Sequence, residues 1–352
     1  MDIKYLVRPE ILELPIINAP TASSNMIRMN ANESPESPWN NDQFIPLNRY
    51  PPIRPNSLME KIAEFYKIKN DEILLSRGST EAIDIIIRTF CIPNNDKILI
   101  SPPTFDMYRF FAKANSISTI EAPLSEENNF TLNMETLIKK ITEDTKIIFL
   151  SSPNNPCGSS IKNEEIKMLL KAVESKVIVV VDEAYVEFSS TKSMIKEINN
   201  YNNLIVLRTL SKAFALAGAR CGAMISSKEG IQFLKKIQPP FCFSTPIVNH
   251  IEAVLSSNGI KSAYSKIQNI ITERKLLKNR IQTLDCVDKV WESDGNFLLT
   301  RFKNIDIVKK NLEKESILIG ILKDNLLKDC ARITVGTKDE NNSLINSLHK
   351  IN

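Results

Sequence analysis

Five residues have the types and the order to act together on one small molecule: Asp182, Tyr185, Ser211, Lys212 and Arg220. Asp182 closes the run Val177-Ile178-Val179-Val180-Val181-Asp182, and Tyr185 follows three residues on. Lys212 lies in Arg208-Thr209-Leu210-Ser211-Lys212-Ala213-Phe214, just past the apolar stretch 204–207. An unbroken β-branched run predicts a strand buried on both faces of a parallel sheet. A carboxylate directly after such a strand stands at its C-terminal end, where open α/β sheets bind ligands. The stretch 204–207 predicts a second strand of the same kind. The acid and the amine therefore reach the same edge of one sheet.

That combination suits pyridoxal phosphate. A lysine holds the aldehyde as a Schiff base, and a carboxylate keeps the pyridine nitrogen protonated so that the ring serves as an electron sink. Tyr185 suits the ring's phenolic oxygen, while Ser211 and Arg220 suit the phosphate, Arg offering planar charge-assisted donors. Each residue alone has a plainer reading: a turn acid, a surface lysine, an arginine paired with an acid. The set in this order favours a shared site.

Two more predicted strand ends carry polar loops. After 73–75 comes Ser76-Arg77-Gly78-Ser79-Thr80-Glu81, where a tight turn leads into a helix starting near Ser79 or Thr80. The free N–H groups and hydroxyls of such a start form an anion site, although a simple Ser or Thr cap has the same appearance. After 146–150 comes Ser151-Ser152-Pro153-Asn154-Asn155-Pro156-Cys157-Gly158. It reads as a turn, with an Asn amide placed to meet a cofactor oxygen.

The elements that hold these loops alternate. Strands are predicted at 73–75, 97–100, 118–122, 146–150, 177–181, 204–207 and 223–226, with helices between them, among them 57–66, 164–174 and 231–237. Such alternation argues for a mostly parallel sheet with helices on both faces. Residues 249–284 read as helix interrupted near Gly259, and the remainder as β-α-β-β-α. The fold class is therefore α/β, with a mostly parallel central sheet flanked by helices and a small α+β domain. The expected division is an N-terminal arm over 1–28, a large domain over 29–255 and a small C-terminal domain over 256–352. The arm carries Pro9, Pro15 and Pro20, and a proline-dense loop with Asn48-Arg49-Tyr50-Pro51 precedes the first long helix.

Composition narrows the function classes. The chain has 352 residues, 43% hydrophobic and 24% charged, as expected of a soluble globular protein. A net charge of +4, spread along the chain, gives no reason to expect nucleic acid. Six scattered cysteines without a CxxC pair suggest buried thiols in a reducing compartment. His250 and His349 are the only histidines, which argues against a metal site and against a Ser-His-Asp hydrolase. No apolar run is long enough for a membrane span and no leader pattern is visible, so a cytoplasmic protein is expected.

The motif set resembles the fold-type I aminotransferases. It comprises Ser101-Pro102-Pro103-Thr104, Ser152-Pro153-Asn154-Asn155-Pro156, Asp182-Glu183-Ala184-Tyr185 and Leu210-Ser211-Lys212-Ala213-Phe214. Within that group it is most similar to the histidinol-phosphate aminotransferase family. Met29-Asn30-Ala31-Asn32-Glu33, Asn48-Arg49-Tyr50-Pro51, Arg77-Gly78-Ser79-Thr80-Glu81, Ala219-Arg220-Cys221-Gly222 and Ala331-Arg332-Ile333-Thr334-Val335-Gly336 support this. The resemblance runs through nearly the whole chain in one order. It implies pyridoxal 5′-phosphate on Lys212, Asp182 at the pyridinium nitrogen, and Asn155 and Tyr185 at the phenolic oxygen. Phe105 would stack on the ring, where family members often have Tyr. Ser79, Thr80, Thr209, Ser211 and Arg220 would serve the cofactor's phosphate side. Tyr50 would reach that phosphate from a neighbouring subunit of a homodimer with shared sites. Arg332, Asn32, Tyr108 and Asn155 would bind the substrate. The reaction would be a two-half transamination in histidine biosynthesis, between an amine phosphate and 2-oxoglutarate or glutamate.

Two departures touch the substrate. A second family Arg falls at Gly320, with Lys323 as the nearest cation, and Ile16 follows Pro15 where the family has Tyr. Alternatives therefore stay open: an aromatic amino acid aminotransferase using Arg332, Phe105, Tyr108 and Phe243, or a decarboxylase of a phosphorylated amino acid. A cofactor-sensing DNA-binding regulator is set aside, because the arm before Asn30 leaves no room for a helix-turn-helix domain.

Overall fold

The computed structural model of the chain describes residues 3–18, 26–38, 45–174 and 176–351. Among them, seven strands form the larger sheet: β1 (Ile73–Ser76), β2 (Lys97–Ile100), β3 (Ser118–Glu121), β4 (Thr145–Ser151), β5 (Ile178–Asp182), β6 (Leu204–Thr209) and β7 (Gly222–Ser226). Their spatial order is β1-β7-β6-β5-β4-β2-β3. β3, β2, β4, β5 and β6 are parallel, and β7 runs antiparallel to both of its neighbours.

The β-branched run becomes β5, buried along its length. Val179 and Val181 pack with Leu204 and Val206 into the core on one face. Ile178 and Val180 pack with Ile205 and Leu207 into the core on the other. Each such side chain contributes ~1.5–3 kcal/mol on burial, so a slip of one residue in register would be costly. Period two also decides where Asp182 points. It shares the face of Ile178 and Val180, toward Tyr108 and Phe149.

Within the expected arm, Ile3–Leu6 and the helix Pro9–Glu13 dock on the sheet's helical layer. Ile3, Leu6, Val7 and Ile11 join the core that contains Ile231 and Leu234. Residues 19–25, with Pro20, lie outside the described residues. The predicted helical stretch 249–284 divides into Thr245–Val254 and Ser257–Ile281. The break falls before Gly259 rather than at it, because the Ser256 side chain caps the second helix by accepting from the Gly259 N–H at 3.3 Å.

The second sheet has the order β10-β11-β9-β8 and is antiparallel throughout. Its strands are β8 (Val287–Val290), β9 (Phe297–Phe302), β10 (Gly320–Ile321) and β11 (Cys330–Thr334). β8 is too short and too polar to be read from sequence, and the second strand of the expected β-α-β-β-α order shrinks to two residues, Gly320 and Ile321. Gly320 pairs with Arg332 in this sheet, and the Arg332 side chain meets Asn155 in the loop that follows β4.

Candidate active site

The register sets the site. Asp182 pairs with Ser151 of β4 on one side and with Leu207 of β6 on the other, so β4 and β5 end at one level while β6 runs two residues further, to Thr209. Above them lies a cavity of about 190 Å³ lined by Gly78, Ser79, Thr80, Phe105, Ser151, Asn155, Asp182, Ala184, Tyr185, Thr209, Ser211, Lys212, Arg220 and Arg332. Residues from seven separate stretches of sequence converge there.

Asp182 is 3% exposed. Its Oδ2 accepts from the Tyr108 hydroxyl at 2.8 Å and its Oδ1 from the Ala184 N–H at 3.1 Å. Burial pushes its carboxyl from 3.8 up to about 6, while Tyr108, Ala184 and Lys212 favour the charged form. A cationic partner would keep it ionised. Lys212 opens onto the cavity, and its side-chain amine makes no hydrogen bond among the described residues; Nζ lies 5.7 Å from the centre of the Tyr185 ring. Partial burial lowers its pKa first, then the charges of Arg332 and Arg220; Asp182 opposes them. A lysine so placed keeps more neutral amine at neutral pH and is the better nucleophile and base for it.

The far wall is built for an anion. β1 turns at Gly78 (φ +76°) into the helix Gly78–Phe90, whose first N–H groups have no intrahelical partner. A Cβ on Gly78 would lie 2.6 Å from Arg220 Nη2, so the absent side chain lets the guanidinium close over the helix start. Arg220 is itself left-handed (φ +51°), a conformation rare for a non-glycine residue. Its Nη1 donates to the Ala217 carbonyl at 3.0 Å and to Ser211 Oγ at 3.5 Å, and no acid pairs with it among the described residues. The Thr209 hydroxyl is spent on the loop: it donates to the Cys221 carbonyl at 3.3 Å and accepts from the Ser211 N–H at 3.1 Å.

The opposite mouth holds Arg332 and Asn155. Arg332 Nη1 donates to Asn155 Oδ1 at 2.5 Å and its guanidinium carbon lies 5.9 Å from the Phe297 ring centre, again with no acid partner among the described residues. Phe105, Asn155 and Arg332 also line an adjoining cavity of about 400 Å³ with Arg109, Lys323 and Asp324. Gly320 adds no side chain beside Arg332, and Lys323 opens into that second cavity.

Three predicted residues lie elsewhere. Tyr108 is corrected: it is fully buried, stacks on Phe149 at 4.7 Å and sits beneath Asp182, withdrawn from any substrate face. Asn32 is exposed in a left-handed turn (φ +54°) and lines neither of the two site cavities. Tyr50 is 51% exposed, rests on Phe241 at 4.8 Å, and lines a separate cavity of about 980 Å³ that contains neither Asp182 nor Lys212. Glu33 holds its loop, accepting from the Tyr50 N–H at 2.7 Å and pairing with Arg28 and Arg49 at 2.6 and 3.1 Å. Burial pushes the Glu33 carboxyl up, but these donors outweigh it and leave the pKa below the usual value. The sequence reading assigned no role to Ser151, Ala184 or the close approach of Gly78 and Gly222. The Ala-Arg-Cys-Gly turn was the one signal for the last of these.

Comparison with known proteins matches this arrangement. The family described as aminotransferase class I and II fits residues 20–348. A histidinol-phosphate aminotransferase of Pasteurella multocida is 38% identical over 326 residues, 92% of each chain. Among solved structures, the histidinol-phosphate aminotransferase of Clostridium acetobutylicum shares 27% identity with a TM-score of 0.76, over 87% of this chain and 91% of that one. The histidinol-phosphate aminotransferase of Sinorhizobium meliloti, solved in complex with pyridoxal 5′-phosphate, has the same fold at 21% identity and a TM-score of 0.77, over 87% and 83% of the two chains. The chain belongs to the class I and II aminotransferases and, within them, to the histidinol-phosphate aminotransferase family.

Proposed function

We propose that this aminotransferase moves an amino group between histidinol phosphate and 2-oxoglutarate in two half-reactions, with pyridoxal 5′-phosphate seated in the Asp182–Lys212 cavity of a homodimer. One observation carries the reading. A single cavity combines a buried carboxylate, an amine of lowered pKa and two arginines without acid partners among the described residues. The donor set fits the cofactor: an acid for its ring nitrogen at one end, and a helix start with Arg220, Ser79, Thr80 and Ser211 for its phosphate at the other. When bound, it supplies an electron sink that makes the hydrogen on the substrate's amine-bearing carbon acidic.

The chain's own residues divide the remaining work. Asp182, held by Tyr108 and Ala184, keeps its negative charge directed at the ring nitrogen. Lys212 Nζ would hold the cofactor and, as a free amine of lowered pKa, would carry the proton at the substrate's amine-bearing carbon. The Tyr185 hydroxyl and Asn155 amide would hold the ring oxygen, and Phe105 would cover the ring. Arg332 takes the anionic end of the amine or of the oxo acid, and Lys323 adds a positive charge in the adjoining cavity. Tyr50, exposed and outside the cavity of its own subunit, would contribute to the partner's phosphate seat. The names of the relatives support histidinol phosphate as the amine.

A single-turnover experiment tests the reading. The cofactor-loaded protein is mixed with histidinol phosphate, then separately with phenylalanine, and the absorbance of the lysine-bound cofactor is followed. Fast loss with histidinol phosphate, regained on adding 2-oxoglutarate, is the expected result. Equal or faster loss with phenylalanine would make this an aromatic aminotransferase. Carbon dioxide release without an acceptor would make it a decarboxylase.

A further inference from the structure

β6 reads Leu204-Ile205-Val206-Leu207-Arg208-Thr209, and all six residues are buried. Arg208, 6% exposed, follows Leu204 and Val206 on the face opposite the cavity, while Thr209 turns toward the cavity. A guanidinium there is costly unless its charge is met, and apolar side chains of similar size often replace buried ion pairs without loss of stability. Arg208 meets two acids. Its Nη1 donates to Glu183 Oε2 and to Ser193 Oγ, each at 3.3 Å, and its Nη2 pairs with Glu187. The side chains of Arg208, Glu183 and Glu187 are 7%, 2% and 7% exposed. Glu183 also accepts from Ser193 Oγ at 2.5 Å and the Met194 N–H at 2.6 Å, and the Tyr66 ring centre lies 4.7 Å from the guanidinium carbon.

The two acids bracket two residues of the cavity lining, Ala184 and Tyr185. Between Glu183 and Glu187 the backbone makes a tight turn, with the Val186 N–H on the Glu183 carbonyl at 3.3 Å and the Phe188 N–H on the Tyr185 carbonyl at 3.0 Å. Tyr185 stands at its centre, its ring edge against Phe297 at 5.1 Å. Its hydroxyl makes no hydrogen bond among the described residues, so nothing at the hydroxyl itself holds it in place. One arginine anchored in the sheet grips both ends of the turn that presents this tyrosine.

We infer that Arg208 is a positioning residue, which clamps the Glu183–Glu187 turn from behind the sheet and thereby sets the Tyr185 hydroxyl for the cofactor's ring oxygen. This rests on the cofactor reading above. A pair kept only for stability needs one acid and no particular relation to the cavity. A clamp needs an acid on each side of the residue it aims.

The test is a double-mutant cycle on equilibrium binding of pyridoxal 5′-phosphate to the cofactor-free protein, using Arg208→Met, Tyr185→Phe and both together. Arg208→Met should weaken binding about tenfold in the native background and about twofold or less when Tyr185 is already Phe, because residues in one network couple. Arg208→Lys should fall between native and Met. Equal losses in both backgrounds would overturn the clamp. Hydrogen exchange of the 184–188 amides gives a readout without cofactor: faster exchange in the Arg208→Met protein supports the clamp, and unchanged exchange overturns it. If that variant does not fold, Glu187→Gln replaces it in both experiments, with the same directions expected. Native protein that binds no pyridoxal 5′-phosphate would sink the functional reading, and the exchange result would still decide the clamp.

Discussion

Gly222→Ala tests the anion wall most directly. Gly222 opens β7 opposite Ser76 of β1 and Thr209 of β6. A methyl group there would come 2.7 Å from the Gly78 carbonyl carbon and 2.9 Å from Gly78 Cα and from Ser79 N. All three contacts are backbone, so no side chain can swing aside. Ordinary contact begins at 3.4 Å, and the Gly78–Ser79 backbone must therefore retreat by about 0.7 Å. Overpacking of this kind costs ~1–3 kcal/mol. The same retreat moves the Ser79 N–H from a charge-assisted bond of ~2.8 Å to about 3.5 Å, the limit of useful hydrogen bonding. Losing one bond to a charged group costs ~1.5–3 kcal/mol, or about ten- to hundredfold in affinity. Urea unfolding of the cofactor-free protein measures the first cost. Titration with pyridoxal 5′-phosphate, and with pyridoxal lacking the phosphate, measures the second. Equal losses for the two ligands, or an unchanged urea midpoint, would refute the reasoning.

Other expectations concern charge and assembly. Arg332→Met removes a cation that depresses the Lys212 pKa, so that pKa rises. Covalent capture of pyridoxal 5′-phosphate should then slow at neutral pH and recover at higher pH; an unshifted pH–rate profile would contradict this. Burial raises the Asp182 carboxyl from 3.8 to about 6, so between those values the folded protein binds more protons than the unfolded chain. The stability of the cofactor-free native protein relative to Asp182→Asn should thus fall as pH climbs through that window; a flat difference would count against it. Tyr50→Phe should weaken retention of pyridoxal 5′-phosphate about tenfold, the worth of one charged hydrogen bond. Mixing Tyr50→Phe with Lys212→Ala subunits should restore one fully native site per mixed dimer if Tyr50 acts across the interface; no recovery of native-like binding would place it elsewhere.

Much of the site was legible because its chemistry sits at strand ends. A β-branched run followed by Asp, and an apolar run followed by Ser-Lys, announce both the strand and the side chain at its edge. Asp182, Lys212, Asn155 and the helix start near Ser79 or Thr80 could be placed on such edges without knowing the strand order, although the helix begins one residue earlier, at Gly78. Tyr108 shows the limit. An aromatic on a helix near the site reads the same whether it faces substrate or lies beneath an acid, and helical periodicity alone does not separate the two. Arg208 carries no such signal, since nothing local shows that a strand arginine faces two acids.

The sequence by itself determined the elements and the chemical inventory. Burial periodicity and loop composition are local properties, and β-branching and turn residues act over a few neighbours. Tertiary structure alone decided the rest. The strand order β1-β7-β6-β5-β4-β2-β3 brings Gly222 against Gly78, and the second sheet carries Arg332 onto Asn155 across 177 residues of chain. Those approaches depend on which distant surfaces bury each other, and on desolvation that exists only once they have. The lowered pKa of Lys212 and the raised pKa of Asp182 belong to that assembled interior, not to any stretch of the chain.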